Sequence, residues 1–318
     1  VSQRCYAVLG TGAVGGFYGA RLQRAGSEVH FLCHRDLDQV RQRGLRIESC
    51  EGDFTLSPVN AYGDVQEMPA CDVVIVALKT TQNHLLPSLL PPVLKDDGIV
   101  LLLQNGLGGE EWVAELVGSD RVMAGLCFIS SNKIGPGHIA HLDYGFIQIA
   151  DYASNYQPQG ITSRMRRIKA DFEQAGIAIL MSEDLLLARW QKLVWNIPFN
   201  GLSVVLNATT DQMMADPHVR LLVEKMMGEV VQGAAAYGRQ ITSDFAQDML
   251  RKTEKMAPYR TSMMLDYKHH RPLEVEAIVG NPLRAAQKAG VTLPRIEMIY
   301  HQLLFLDAHH PVRPSDLI

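Results

Sequence analysis

The chain contains no C-x-x-C pair, and its five cysteines, Cys5, Cys33, Cys50, Cys71 and Cys127, are odd in number. Both facts argue against a disulfide framework and against a thiolate zinc site. Four of the five fall in or beside apparent strands, where buried thiols sit. No uncharged apolar stretch approaches about 18 residues, so no membrane-spanning helix is expected, and the first residues lack the basic patch and apolar core of a signal peptide. A cytoplasmic location is the expectation. A dense basic block is missing too: 30 Lys+Arg stand against 34 Asp+Glu, a formal charge of -4. Such a balance gives nothing to track a phosphate backbone, so nucleic acid is not an expected partner. Repeats and low-complexity tracts are absent, and the His309-His310 pair has no metal-ligand spacing partner nearby.

What is present is a globular composition, 47% hydrophobic and 20% charged, close to the average for soluble domains. A chain of 318 residues is long enough for two domains of roughly 150 residues each. The first half alternates short apolar runs with helical patterns, the signature of a parallel sheet wound by crossover helices. Strands are expected at Cys5 to Leu9, Glu28 to Cys33, Val73 to Ala77, Ile99 to Leu103 and Val122 to Phe128. Phe146 to Ile149 and Ile177 to Met181 follow, with a turn at Gly135-Pro136-Gly137. Helices are expected at Ala13 to Ala25, at Gln82 to Leu90 ending before Pro91, and at Ile161 to Gly176.

From Glu183 the pattern is helical nearly throughout: Leu185 to Leu206, His218 to Tyr237, Phe245 to Lys255, Glu274 to Gly290 and Ile296 to Asp307. The expected architecture is therefore α/β. A Rossmann-type parallel-sheet domain over residues 1–182 precedes an all-α domain over residues 183–318.

Gly10-Thr11-Gly12-Ala13-Val14-Gly15 follows the first strand and opens the first helix, the context that gives G-x-G-x-x-G a physical meaning. Gly10 permits a tight turn, Gly12 lets backbone N–H groups approach a pyrophosphate, and Gly15 lets helix and strand pack closely. Dinucleotide binding is the expectation. About 20 residues on, an acid would accept the ribose hydroxyls of NAD and an arginine would bind the extra phosphate of NADP. Arg35 stands there, favouring NADP(H) over NADH, although the adjacent Asp36 occupies a position one step away.

Two further segments end strands where ligands bind in such sheets: Lys79 after Val76-Ala77-Leu78, and Asn105-Gly106 after Leu103-Gln104. An ammonium there suits a carboxylate or phosphate, and a carboxamide suits the nicotinamide or substrate. A solvated lysine and an asparagine supplying a positive-φ turn are equally good readings of each alone. Further on, Trp190-Gln191-Lys192 through Asn196 to Asn200 puts an ammonium and two carboxamides four residues apart in an apolar run. At helical spacing all three face one way, and such groups are costly to bury without partners. Glu274, just inside the helix after Pro272, suits the positive end of the helix dipole.

Taken in order, these pieces resemble the ketopantoate reductase (2-dehydropantoate 2-reductase) family. Its pattern runs from G-x-G-x-x-G through a strand-ending lysine and an Asn-Gly turn to W-x-K-x-x-x-N-x-x-x-N. It closes on a Ser-Ser-Met segment and a Pro-Thr-Glu segment, here Thr261 to Asp266 and Arg271 to Glu276, so the likeness spans essentially the whole chain. Leu273 replaces the usual Thr, Glu276 replaces the usual Asp, and Pro198 stands between the two asparagines, where it removes a helix hydrogen bond.

The resemblance implies hydride delivery from NADPH to the keto carbon of ketopantoate, giving pantoate, without a metal. It further implies that Lys192 and Glu274 are catalytic, that Asn196, Asn200, Ser262 and Asn105 hold substrate, and that Gly10 to Gly15, Arg35, Lys79 and Asn105 hold the cofactor. The rival readings are a reductase of another small 2-keto or β-hydroxy acid, and a non-catalytic NADP(H)-binding sensor. Oligomeric state is left open, a homodimer included.

Overall fold

The computed structural model describes residues 4–309, and His310 of the tail pair lies outside them. Those residues form two compact units. One runs to Asn105 and resumes over Gly109–Leu185; the other comprises Gly106–Gly108 and the chain from Leu186 onward.

The first unit is built on a ten-stranded sheet. Its strands are β1 Cys5–Leu9, β2 Glu28–Leu32, β3 Leu45–Ser49, β4 Phe54–Leu56, β5 Asn60–Tyr62, β6 Cys71–Val76, β7 Leu94–Leu102, β8 Val122–Gly135, β9 His138–Asp151 and β10 Ile179–Met181. They lie in the order β4-β3-β9-β8-β7-β6-β1-β2-β5, with β10 paired to β9. The run from β8 to β5 is parallel throughout, as the apolar runs foretell. Every residue of β1 is buried, the mark of a central strand covered on both faces.

Two pairings depart from the expected parallel sheet. β8 and β9 are antiparallel, because the expected Gly135-Pro136-Gly137 turn reverses the chain at once and leaves no room for a crossover. β3 and β4 form a second antiparallel pair. Helices α1 Ala13–Arg24, α2 Leu37–Arg43, α3 Leu86–Val93, α4 Gly109–Val117 and α5 Ser163–Gln174 complete the unit. α1 buries Phe17, Tyr18 and Leu22 in a core shared with Val8, Phe31, Ile75, Leu101, Ile139 and Phe172. The helix expected to stop before Pro91 instead begins as a 3-10 turn at Thr80–Leu85 and carries Pro91 and Pro92 inside α3. The missing N–H donors end it at Val93, after the prolines rather than before them.

The second unit is helical: α6 Leu185–Leu206, α7 Thr210–Ala215, α8 Pro217–Ala236, α9 Ser243–Glu254, α10 Ser262–Lys268, α11 Asn281–Lys288 and α12 Pro294–Ala308. α6 is buried on nearly every side, as a helix apolar all round is, and its residues meet α8, α9 and α12. A Cβ on Gly233 of α8 would lie 2.9 Å from the Trp190 ring, and one on Gly201 would lie 2.7 Å from Ile299 of α12. Trp195 stacks on Phe199 at 4.9 Å and donates its indole N–H to Thr253 Oγ1 of α9 at 3.1 Å. Glu229, 4% exposed, caps α12 by accepting from the N–H groups of Arg295 and Ile296. Pro198 forfeits one hydrogen bond without ending α6, which is continuous from Leu185 to Leu206. Among the described residues no helix is long and apolar enough to cross a membrane.

Candidate active site

Four strands that lie side by side, β7-β6-β1-β2, deliver the first set of expected residues. Gly10 directly follows β1, Arg35 stands three residues past β2, Lys79 three past β6 and Asn105 three past β7. All lie beyond the carboxyl ends of parallel strands, where open α/β sheets bind ligands.

The glycines of the loop divide by what surrounds them. Gly10 has φ +100°, and a Cβ there would lie 2.7 Å from Leu78 N in the segment leading to Lys79. A Cβ on Gly15 would meet Gly10 O at 2.3 Å and Val8 Cγ1 at 3.0 Å, so helix and strand touch through the missing side chain. Gly12 differs: a Cβ there would meet no atom within 4 Å. Among the described residues no contact requires glycine at that point, and the open space leaves room for a pyrophosphate.

α1 begins with no side-chain cap and no acid in its first turn, and its first backbone hydrogen bond runs from Gly16 N to Gly12 O. The N–H groups of Ala13, Val14 and Gly15 therefore have no partner within the helix and face its amino end, a ready site for an anion. The residues present thus fit a dinucleotide.

Side chains from far along the sequence brace this loop. Thr11, 6% exposed, spends its hydroxyl proton on Leu32 O at 2.8 Å, which leaves its backbone N–H as the donor it can offer a ligand. Ser131 donates to Ala13 O at 3.1 Å, and Lys133 Nζ donates to Thr11 O at 3.1 Å. The same ammonium lies 2.6 Å from Asp36 Oδ2, which also accepts from Gly137 N. Asp36 is 6% exposed and tied through Oδ2 to the β8–β9 hairpin, while Arg35 beside it is exposed. Sequence reasoning missed Ser131 and Lys133; no local motif marks residues that reach the loop from β8.

The second set lies on the helical unit. Lys192, Asn196 and Asn200 occupy successive turns of α6 and are 9%, 6% and 3% exposed, spanning about 12 Å of the helix axis. Asn200 Oδ1 is buried without a hydrogen-bond partner. An orphaned carbonyl oxygen costs about 1–3 kcal/mol, a cost that a bound donor would offset. Ser262, half-buried, is the first residue of α10. The preceding Thr261 caps that helix by accepting from Met264 N at 3.1 Å and lies 2.7 Å from Ser203 Oγ, whose proton goes to Asn200 O at 3.0 Å. Ser203, another residue missed in the sequence, thus fastens the start of α10 to the turn that carries Asn200.

Glu274 is buried, 5% exposed. It stands just before its helix rather than inside it: its carbonyl accepts from Ile278 N, and the following turn, Glu276–Gly280, is a π-helix. The position is that of an N-cap, so the helix expected from Glu274 begins one residue later with a wider first turn. Glu276, the acid that departs from the family pattern, turns outward to Tyr300 Oη at 2.7 Å and Arg284 Nη2 at 2.5 Å. Gly106, φ +93°, takes the positive-φ position of the Asn-Gly turn, and Asn105 does not. Leu107 N donates to Ala277 O at 2.9 Å, and Asn281 Nδ2 donates to Leu107 O at 2.7 Å.

Comparison with known proteins agrees at every level. A family model described as Ketopantoate reductase PanE/ApbA matches residues 6–154, and its C-terminal counterpart matches residues 184–307. A 2-dehydropantoate 2-reductase of Nostoc sp. is 62% identical over 310 residues, covering 98% of this chain and 97% of that protein. The solved 2-dehydropantoate 2-reductase of Geobacter metallireducens is 40% identical with a TM-score of 0.91, covering 94% of this chain and 99% of that one. A D-mandelate dehydrogenase solved with NADH and anilino(oxo)acetate, 18% identical with a TM-score of 0.87 over 97% of this chain and 99% of that one, shares the fold. With a braced glycine loop on one unit, a buried Lys-Asn-Asn row on the other, and matches spanning both, the chain belongs to the ketopantoate reductase family.

Proposed function

We propose that this oxidoreductase reduces ketopantoate to pantoate with NADPH as hydride donor. The observation that carries the reading is the buried row Lys192, Asn196 and Asn200 on α6, with an orphaned oxygen at its far end, in a chain 62% identical to a 2-dehydropantoate 2-reductase. The bound cofactor supplies the hydride. Lys192 hydrogen-bonds the keto oxygen, stabilises the negative charge that develops there, and gives it the proton that completes the alcohol. Asn196, Asn200 and Ser262 are uncharged donors suited to the substrate carboxylate, and Glu274 accepts from the primary hydroxyl. Simple 2-keto acids lack that hydroxyl, forgo this contact and react more slowly.

For the cofactor, Gly10 to Gly15 seat the pyrophosphate, with Lys79 and Asn105 beside it. Arg35, which is exposed, meets the extra phosphate of NADPH, while Asp36 is buried and tied through Oδ2 to Gly137 and Lys133. A reductase of another keto or β-hydroxy acid and a non-catalytic sensor are both less favoured, because the whole polar set is retained. The D-mandelate dehydrogenase shares only the fold, which does not choose a substrate. Steady-state rates with ketopantoate, measured with NADPH and NADH in parallel, test substrate and cofactor together. Protein that fails to oxidise NADPH in the presence of ketopantoate would sink the proposal.

A further inference from the structure

Three side chains with no part in the reduction meet on β1, β2 and β6. Cys5 opens β1, Cys71 opens β6, and His30 is the third residue of β2. β1 runs between the other two strands and is paired in parallel with both. All three residues are buried: Cys71 is 0% exposed, His30 6% and Cys5 7%. The two Sγ atoms and a ring nitrogen of His30 all lie within 4.8 Å of one another, the sulfurs 2.6 Å apart. No local cysteine spacing marks this cluster, because its members come from three separate strands.

Thiolate and imidazole ligands together suit Zn²⁺. At metal–sulfur bonds of about 2.3 Å, two sulfurs on one tetrahedral ion stand about 3.8 Å apart, so the cysteines need to spread by about 1 Å. His30 is already held as a ligating histidine is held. Its Nδ1 lies 3.0 Å from Tyr62 Oη and its Nε2 lies 3.0 Å from Glu28 Oε1. With Nε2 on the metal beside Glu28, Nδ1 keeps the Tyr62 oxygen as the partner that fixes the ring. The Glu28 side chain is 61% exposed, which places a carboxylate between solvent and the buried ligands.

We propose that Cys5, Cys71 and His30 form a Zn²⁺-binding site, with the Glu28 carboxylate closing the fourth position. Binding sends the thiol protons to solvent. Cys5 and Gly10 stand at opposite ends of β1, about 16 Å apart at about 3.3 Å per residue, so the metal staples three parallel strands and takes no part in hydride transfer.

Titration of the reduced full chain with Co²⁺, followed by Zn²⁺, tests this. One equivalent of Co²⁺ is expected to bind with a thiolate-to-metal charge-transfer band in the near ultraviolet, to be displaced by one equivalent of Zn²⁺, and Zn²⁺ is expected to raise Tm. Cys71→Ser should weaken that band, and His30→Gln, which keeps both sulfurs, should weaken Zn²⁺ binding at least about tenfold while leaving NADPH turnover unchanged. Co²⁺ uptake without the thiolate band, unaltered Zn²⁺ affinity in both variants, or a Cys5–Cys71 disulfide whose reduction yields no metal binding would each overturn the proposal.

Discussion

Ser203 and Thr261, 58 residues apart in sequence, bring their hydroxyl oxygens to 2.7 Å where neither is exposed to solvent. Because Ser203 gives its proton to Asn200 O and Thr261 accepts from Met264 N, the bonds run in one direction, from α10 through both hydroxyls to α6. Thr261→Val removes the cap and interrupts this relay. It should destabilise the chain by about 1–3 kcal/mol in urea unfolding and raise the KM for the keto acid more than it lowers kcat. A double-mutant cycle with Ser203→Ala should show coupling of about 0.5–3 kcal/mol, and Thr261→Ser should restore both properties.

Lys192→Ala tests the proton donor. Loss of a general acid costs about a hundredfold to ten-thousandfold in rate, so kcat should fall by that order while NADPH affinity, followed by cofactor fluorescence, is unchanged. A variant that keeps its turnover would remove Lys192 from the mechanism and leave the sensor reading standing.

Arg35 and Asp36 are neighbours with opposite expected phenotypes. Arg35→Ala deletes a charged donor worth about 1.5–3 kcal/mol, so kcat/KM with NADPH should drop roughly ten- to a hundredfold and the NADH value should hardly move. Asp36→Asn should instead lower Tm, because Asp36 ties Gly137 N and Lys133 to the loop. An improved preference for NADPH in Asp36→Asn would mean that this acid does meet the ribose.

Glu276 gives a pH signature. Burial acts to raise its carboxyl pKa, but the hydrogen bonds from Tyr300 and Arg284 outweigh it and hold the group below its ordinary value. A carboxylate depressed in the folded state adds stability above its unfolded pKa of about 4.3, and loses it as pH falls through the folded value. The fall in Tm on acidification below about pH 4.3 should therefore be shallower in Glu276→Gln than in the parent. Parallel curves would show that the cluster, whose Glu276 side chain is 56% exposed, is fully screened by solvent.

Elements dominated by one strong pattern were legible before folding. β1 and α6 match their expected bounds residue for residue, one as five contiguous apolar positions and the other as a long apolar run carrying a polar face. The strands Leu45–Ser49, Phe54–Leu56 and Asn60–Tyr62 were not expected, since three to five residues give too little alternation to separate strand from loop. The π-helical turn after Glu274 was equally hidden, because a pattern read at 3.6 residues per turn cannot register one wider turn. At the site, residue types were readable but their supports were not. Lys133 reaches Thr11 across 122 residues and Ser203 reaches Thr261 across 58, distances over which only the assembled fold makes neighbours.

Gly12 carries a last consequence. Gly10 and Gly15 are fixed as glycine by atoms of their own chain, but nothing among the described residues crowds position 12. The proposed dinucleotide is what would hold its identity. In a library selected for folding alone, position 12 should drift toward alanine and serine while positions 10 and 15 stay glycine; add selection for turnover, and the drift should stop.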